Sequence, residues 1–210
     1  QVHKVQHLGQ KPVGPPQLNL GGVEAGTRSR TLFDPHIDAD RRRFQTRHPD
    51  EEWKAIEDRV HTCFHSIQFA WSSQQWERSR SYQTDALFQM NRFWMERYKR
   101  HDLVNRLDEV RIKNTEICKI ELDAWYESIT VRVHASMIDW TERKKDSAVV
   151  SGNKHQVRHF SEYWTLIRSV KFQAPIAGDD ACPSCGAPLD KISMIGVCGY
   201  CEAKITNGDF

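Results

Sequence analysis

No stretch of this chain approaches the run of about 20 apolar residues that a helix needs to cross a bilayer, and the mean hydropathy is −0.68. Charge of one sign is also lacking. Across 210 residues, 30 Lys and Arg stand against 28 Asp and Glu, a formal net charge of +2. That near-balance excludes a strongly basic nucleic-acid binder by composition. A Gly-rich phosphate loop, a nucleophile elbow and a kinase signature are absent as well. Gln1 is not an initiator Met and nothing marks Phe210 as an end, so the sequence is expected to be the ordered or processed part of a longer chain. The lack of a signal segment therefore says nothing about the full-length protein.

Cysteine is scarce too, and four of the six cysteines are crowded into the tail. They form Cys182-Pro183-Ser184-Cys185-Gly186 and Cys198-Gly199-Tyr200-Cys201. A C-x-x-C turn aims two sulfurs at one point, and a tetrahedral ion needs two such turns facing each other. Gly186 suits the left-handed backbone that closes such a turn. The reading is a structural zinc site held by Cys182, Cys185, Cys198 and Cys201, with no coordination position left for water or substrate. Iron in a rubredoxin-like site uses the same ligands and is the chemical alternative; two disulfides or unrelated thiols are the plain one. Four bound thiolates and one zinc ion bring the formal charge of the holo protein close to zero. Cys63 falls on a helical apolar face and Cys118 on a strand apolar face, which predicts two buried thiols and a reducing compartment.

The chain is long enough for one ordinary core and a small satellite. Residues 1–33 are rich in Gly and Pro and read as an extended arm or linker, held by something such as a neighbouring subunit. Arg41-Arg42-Arg43 and Arg47 make a small basic knot, read as a solvated helix face, with a lipid headgroup or RNA contact as the alternative. Pro49-Asp50-Glu51-Glu52 predicts a helix start. Behind it Trp53, Ile56, Val60, Cys63, Phe64, Ile67 and Trp71 repeat at the 3.6 period. A short helical turn is expected over Trp76–Tyr82, and a further helix capped by Thr84 or Asp85 carries Leu87, Met90, Phe93, Trp94 and Tyr98. The period then changes to two. Cys118, Ile120 and Leu122 alternate with polar residues, as do Ile129, Val131, Val133, Ala135 and Met137, and a third strand is expected from about His155 to Phe172. Helices followed by a long antiparallel meander make an α+β domain, here over 34–175, with 176–210 as the metal ribbon.

These residues resemble a known family. Pro49-Asp50-Glu51-Glu52-Trp53, Ala70-Trp71-Ser72-Ser73, and the strand His159-Phe160-Ser161-Glu162-Tyr163-Trp164-Thr165-Leu166-Ile167-Arg168 are similar to bacterial proteins carrying the Tim44-like domain, named for an import subunit of the mitochondrial inner membrane. Cys182 to Asp190 and Ile205 to Phe210 resemble the zinc-ribbon extension of such members. The resemblance implies a cone-shaped fold of the nuclear-transport-factor-two type, with helices on a curved antiparallel sheet. It implies no catalytic residues. It implies a peripheral or N-terminally tethered protein of the bacterial inner membrane, with its ribbon on the reducing side, or alternatively a protein of the mitochondrial matrix. The implied partners are integral-membrane complexes, lipid headgroups or ribosomal particles. Phe88, Phe93, Trp94, Met95 and Tyr98 make one helix bulkier than the resemblance implies, the mark of a dedicated protein interface.

Glu162, Trp164 and Arg168 share a face of their strand. Inside a cavity, burial would force the Glu and the Arg to pair, either to fix register or to line a ligand or partner pocket. His61 and His65 lie one helical turn apart but have no third ligand in sequence, and read as exposed helix residues. The expected function is a non-catalytic, membrane-associated scaffold or accessory subunit. A ribosome- or RNA-binding module is the alternative, opposed by the weak charge of the tail. A cone-fold enzyme using Glu162 or Asp139 as a carboxylate of raised pKa is the third reading.

Overall fold

The computed structural model describes residues 22–170, 188 and 197–200, the side chain of Ser169 aside. Helices come first in the chain: α1 (Ile37–Arg47), α2 (Trp53–Ser72), a short 3-10 helix (Trp76–Tyr82) and α3 (Asp85–Arg100). Three long strands follow, β1 (Leu103–Leu122), β2 (Tyr126–Arg143) and β3 (Val149–Ser169), paired antiparallel in the order β1-β2-β3.

α1 has little apolar sequence, and Phe44 is its one buried residue. It stops at Arg47 because His48 precedes Pro49, whose ring disfavours the α conformation in the residue before it. The sequence predicts Pro49 in the first turn of a helix. In the structure residues 49–52 are instead a connector, and α2 opens at Trp53 with Glu52 as its N-cap and no capping side chain. The Gln45 amide holds that connector by donating to the backbone oxygens of His48 (3.2 Å) and Glu51 (3.1 Å). The basic knot is only partly solvated, since Arg41 donates to the Ile117 carbonyl at 3.3 Å and lies over the Trp53 ring.

α2 buries its apolar stripe, Ile56, Val60, Cys63, Phe64, Ile67 and Ala70, with Ile56, Val60 and Phe64 packed into the core with the sheet. Each fully buried large side chain of this kind is worth about 1.5–3 kcal/mol in burial. Phe64 is the centre of the packing, with Phe160 at 6.4 Å and Trp164 at 5.3 Å between ring centroids. A second, smaller core lies beside it, where Phe88 stacks on Trp76 at 5.7 Å and Met95 is buried. Thr84 caps α3, its Oγ1 accepting the Leu87 N–H at 3.2 Å. Burial pushes the Cys118 thiol up, and its Sγ donates to the Thr130 carbonyl at 3.3 Å.

β1 starts fifteen residues before the alternation at Cys118 suggests. Its register shifts between Asp108 and Arg111, between Ile112 and Asn114 and between Ile117 and Lys119, and each shift resets which side chain faces inward. A further irregularity sits where β3 begins. Gly152 has φ +77°, and a Cβ there would lie 2.3 Å from the Asp139 carbonyl oxygen, so glycine alone fits this approach.

The sheet's other face is covered by residues 22–33. Glu24 donates its N–H to His159 O at 2.8 Å and Gly22 O accepts from His159 N at 2.7 Å, a parallel bridge on the β3 edge. Arg132 of β2 is 2 % exposed beneath this segment. Its guanidinium donates to the carbonyls of Ser29 (2.8 Å) and Gly26 (2.9 Å) and to Ser161 Oγ (3.0 Å). The described part of the arm is thus held by its own sheet.

Candidate functional site

A groove of about 590 Å³ runs between the helices and the sheet face turned toward them. Its floor is apolar, supplied by Ile129 and Met137 of β2 and by Phe160, Trp164 and Leu166 of β3; Ile56 and Ile67 of α2 form one wall. Strand alternation puts the floor residues on one face, and the helical period of α2 puts its apolar stripe opposite. Gln68 of α2 and Asn91 of α3 stand at the lining as half-buried polar groups.

Each end of the groove carries ionic groups that neutralise one another. At one end Glu127 of β2 accepts from Arg47 (3.2 Å), His48 (2.7 Å) and Arg168 (2.9 Å), and the Arg168 guanidinium also pairs with Glu51. Burial pushes the Glu127 carboxyl up, but the bonds from Arg168 and Arg47 and the charge of His48 outweigh it and hold the group below the usual carboxylate range. For Arg168, burial pushes down while Glu51 and Glu127 push up, and the pair of carboxylates wins. At the other end Asp139 accepts from Arg158 at 2.8 Å and from the Asn105 amide at 2.7 Å. Arg158 also reaches Glu24 at 2.7 Å, and Trp71 Nε1 donates to Asn105 Oδ1 at 2.8 Å.

The expected Glu162–Arg168 pair does not form. The two residues stand six positions apart on the strand, about 20 Å at the strand rise. The β2–β3 register sets Arg168 across from Glu127 and Glu162 across from Val133. Glu162 is exposed and accepts from Trp164 Nε1 at 3.0 Å. Glu162, Trp164 and Arg168 all line the groove, but in different roles. Asp139, the other carboxylate candidate, is committed to Arg158 and Asn105.

The aromatic helix divides in two. Phe88 is fully buried and so is no contact surface for a partner; Tyr98 leans edge-on against Trp71 at 5.7 Å. Phe93 (58 % exposed) and Trp94 (43 %) face outward, in contact with each other at 5.5 Å. Leu87 and Met90 are exposed beside them. Sequence reasoning missed Glu51, His48, Glu127 and Arg158. These residues are distant in the chain, and only the strand register reveals that they meet.

Of the four tail cysteines, Cys182, Cys185 and Cys201 lie outside the described residues, as does most of 176–210. Cys198 is described. It is buried, and its Sγ accepts the Tyr200 N–H at 3.5 Å. Among the described residues no cluster of three or more metal-ligating side chains occurs, His61 and His65 included. No described helix is long and apolar enough to cross a membrane.

The family model for the Tim44-like domain matches residues 42–176, from within α1 past the end of β3. None of the curated proteins matches the chain. Tim44-like domains are associated with membrane-associated subunits of import complexes, and the family is generally a non-catalytic scaffold. With the match spanning well over half of its residues, helices and antiparallel sheet alike, this chain belongs to the Tim44-like domain family.

Proposed function

We propose that this protein is a non-catalytic, membrane-associated accessory subunit that docks on an integral-membrane protein complex, and that its cone of the nuclear-transport-factor-two type presents the groove as the docking site. One observation carries the reading. The groove's floor is apolar, and the ionic groups at its ends, Glu127 with Arg168 and Asp139 with Arg158, are already paired with each other. An occupant bearing a charge at either end would be desolvated without a free partner there, at a cost of several kcal/mol. An uncharged apolar segment of a membrane protein meets no such penalty. Family membership supports the membrane setting.

The test is purification of the full chain from detergent-solubilised membranes. A partner should be retained in stoichiometric amount. Gln68→Trp and Asn91→Trp, which put bulk into the groove without emptying the core, should lower its recovery. Isolation of the unaltered chain only as a soluble monomer would count against docking.

We also propose that Cys182, Cys185, Cys198 and Cys201 hold one structural zinc ion, with iron as the alternative. Support comes from the paired C-x-x-C spacing and from the backbone N–H of Tyr200 on Cys198 Sγ, a hydrogen bond that stabilises thiolate over thiol. Metal analysis should return about one zinc per chain, and Cys198→Ser should abolish that content while leaving the α+β domain folded.

A further inference from the structure

An amphipathic helix at a protein surface normally has one apolar face; α3 has two. Phe88 and Met95 point into the small core, and the outward side is apolar as well. At about 100° per residue, Trp94, Met90 and Phe93 spread over a little more than a quarter of the circumference. All three are exposed, between 43 % and 58 %, while Leu87 beside them lines the groove. They form a convex ridge, with bulky rings standing out from the helix, rather than a hollow.

The charges around the ridge are cationic. The acids of α3 are already engaged, Asp85 with Arg80 and Glu96 with Lys99. Arg97 lies over the Trp94 ring at 5.4 Å. Neither Arg97 nor Arg100 has a carboxylate within ion-pair distance among the described residues. Protruding aromatic and aliphatic side chains next to uncompensated arginines suit the boundary between headgroups and acyl chains. There the rings bury apolar area and the guanidinium groups meet phosphate. A bilayer also accepts a convex ridge without needing a matching hollow.

We infer that the outward face of α3 seats the domain on an anionic lipid bilayer. The inference rests on the membrane setting proposed above and names which face meets the lipid. In this arrangement the ridge carries the lipid contact, and the groove stays committed to protein.

Flotation of the full chain with phosphatidylcholine vesicles, with and without phosphatidylglycerol, tests it. The chain should float with the anionic vesicles, less so as salt is added. Arg97→Gln with Arg100→Gln should lower the partition coefficient about thirtyfold. Met90→Gln, Phe93→Gln and Trp94→Gln together should lower it by about a hundredfold or more. These side chains are exposed, so unchanged thermal unfolding serves as the folding control. No binding to anionic vesicles, or binding unaltered in both variants, overturns the inference. Normal flotation of the ridge variants with loss of the co-purified protein overturns it too, by making the ridge a protein contact, and leaves the docking reading standing. Normal flotation of the unaltered chain with no co-purifying partner does the reverse: the inference stands and docking on a complex fails.

Discussion

α2 and α3 read alike in sequence, each an amphipathic helix dense in aromatic residues, but they have opposite fates. α2 spends its 20 residues burying six side chains, with Ile56, Val60 and Phe64 in the main core with the sheet and Ile67 and Ala70 in the smaller core beside it. α3 has 16 residues and buries two, leaving Phe93 and Trp94 outside. Aromatic content therefore does not by itself mark core. What decides is whether a second layer lies opposite the face, and α2 has the sheet where α3 has the 3-10 helix, β1 and the far end of α2.

Substitutions should break that comparison cleanly. The largest effect is expected from Phe64→Ala, which removes the ring shared by Phe160 and Trp164 and should cost about 4 kcal/mol in denaturant unfolding. Next comes Arg168→Ala. It leaves the Glu127 carboxylate, 5 % exposed, short of one cation in a buried site, and should cost about 3 kcal/mol. A smaller loss is confined to acid. Bonds from Lys154 and Trp140, followed by Arg106, draw the Glu142 carboxyl from 4.5 down to about 2. A carboxyl depressed in the folded state adds stability above its unfolded value and gives it up as pH falls through the folded one. Stability should therefore decline between pH 4.5 and 2, and Glu142→Gln should flatten that decline in an acid titration followed by circular dichroism. The smallest effect sharpens the contrast. Phe93→Gln on α3 should shift unfolding by less than about 0.5 kcal/mol, although it removes a ring as large as that of Phe64.

Regular periods made most of the architecture legible. The 3.6 repeat from Trp53 to Trp71 and the alternation from Ile129 to Met137 are unbroken, and both elements stand where those patterns put them. α1 left almost no trace because a single buried Phe44 holds it. The first half of β1 was hidden by its own bulges, one of them at Glu109 with φ 48°, which scramble the period of two. The groove's ionic ends were illegible for a different reason. Arg168 finds Glu127 across the strand pair and Glu51 from the connector, and no local pattern encodes a partner so many residues away. The Glu162–Arg168 pairing failed on distance along one strand, a quantity that face-sharing ignores.

The buried Arg132 bears on where this domain can be cut. A shortened version starting at residue 42, where the family match begins, would strip away the carbonyls of Gly26 and Ser29. A cation in the middle strand would then face water on a sheet shaped to exclude it. The independently folding piece is therefore expected to begin by Gly22, with its leading segment acting as a lid over the sheet's far side.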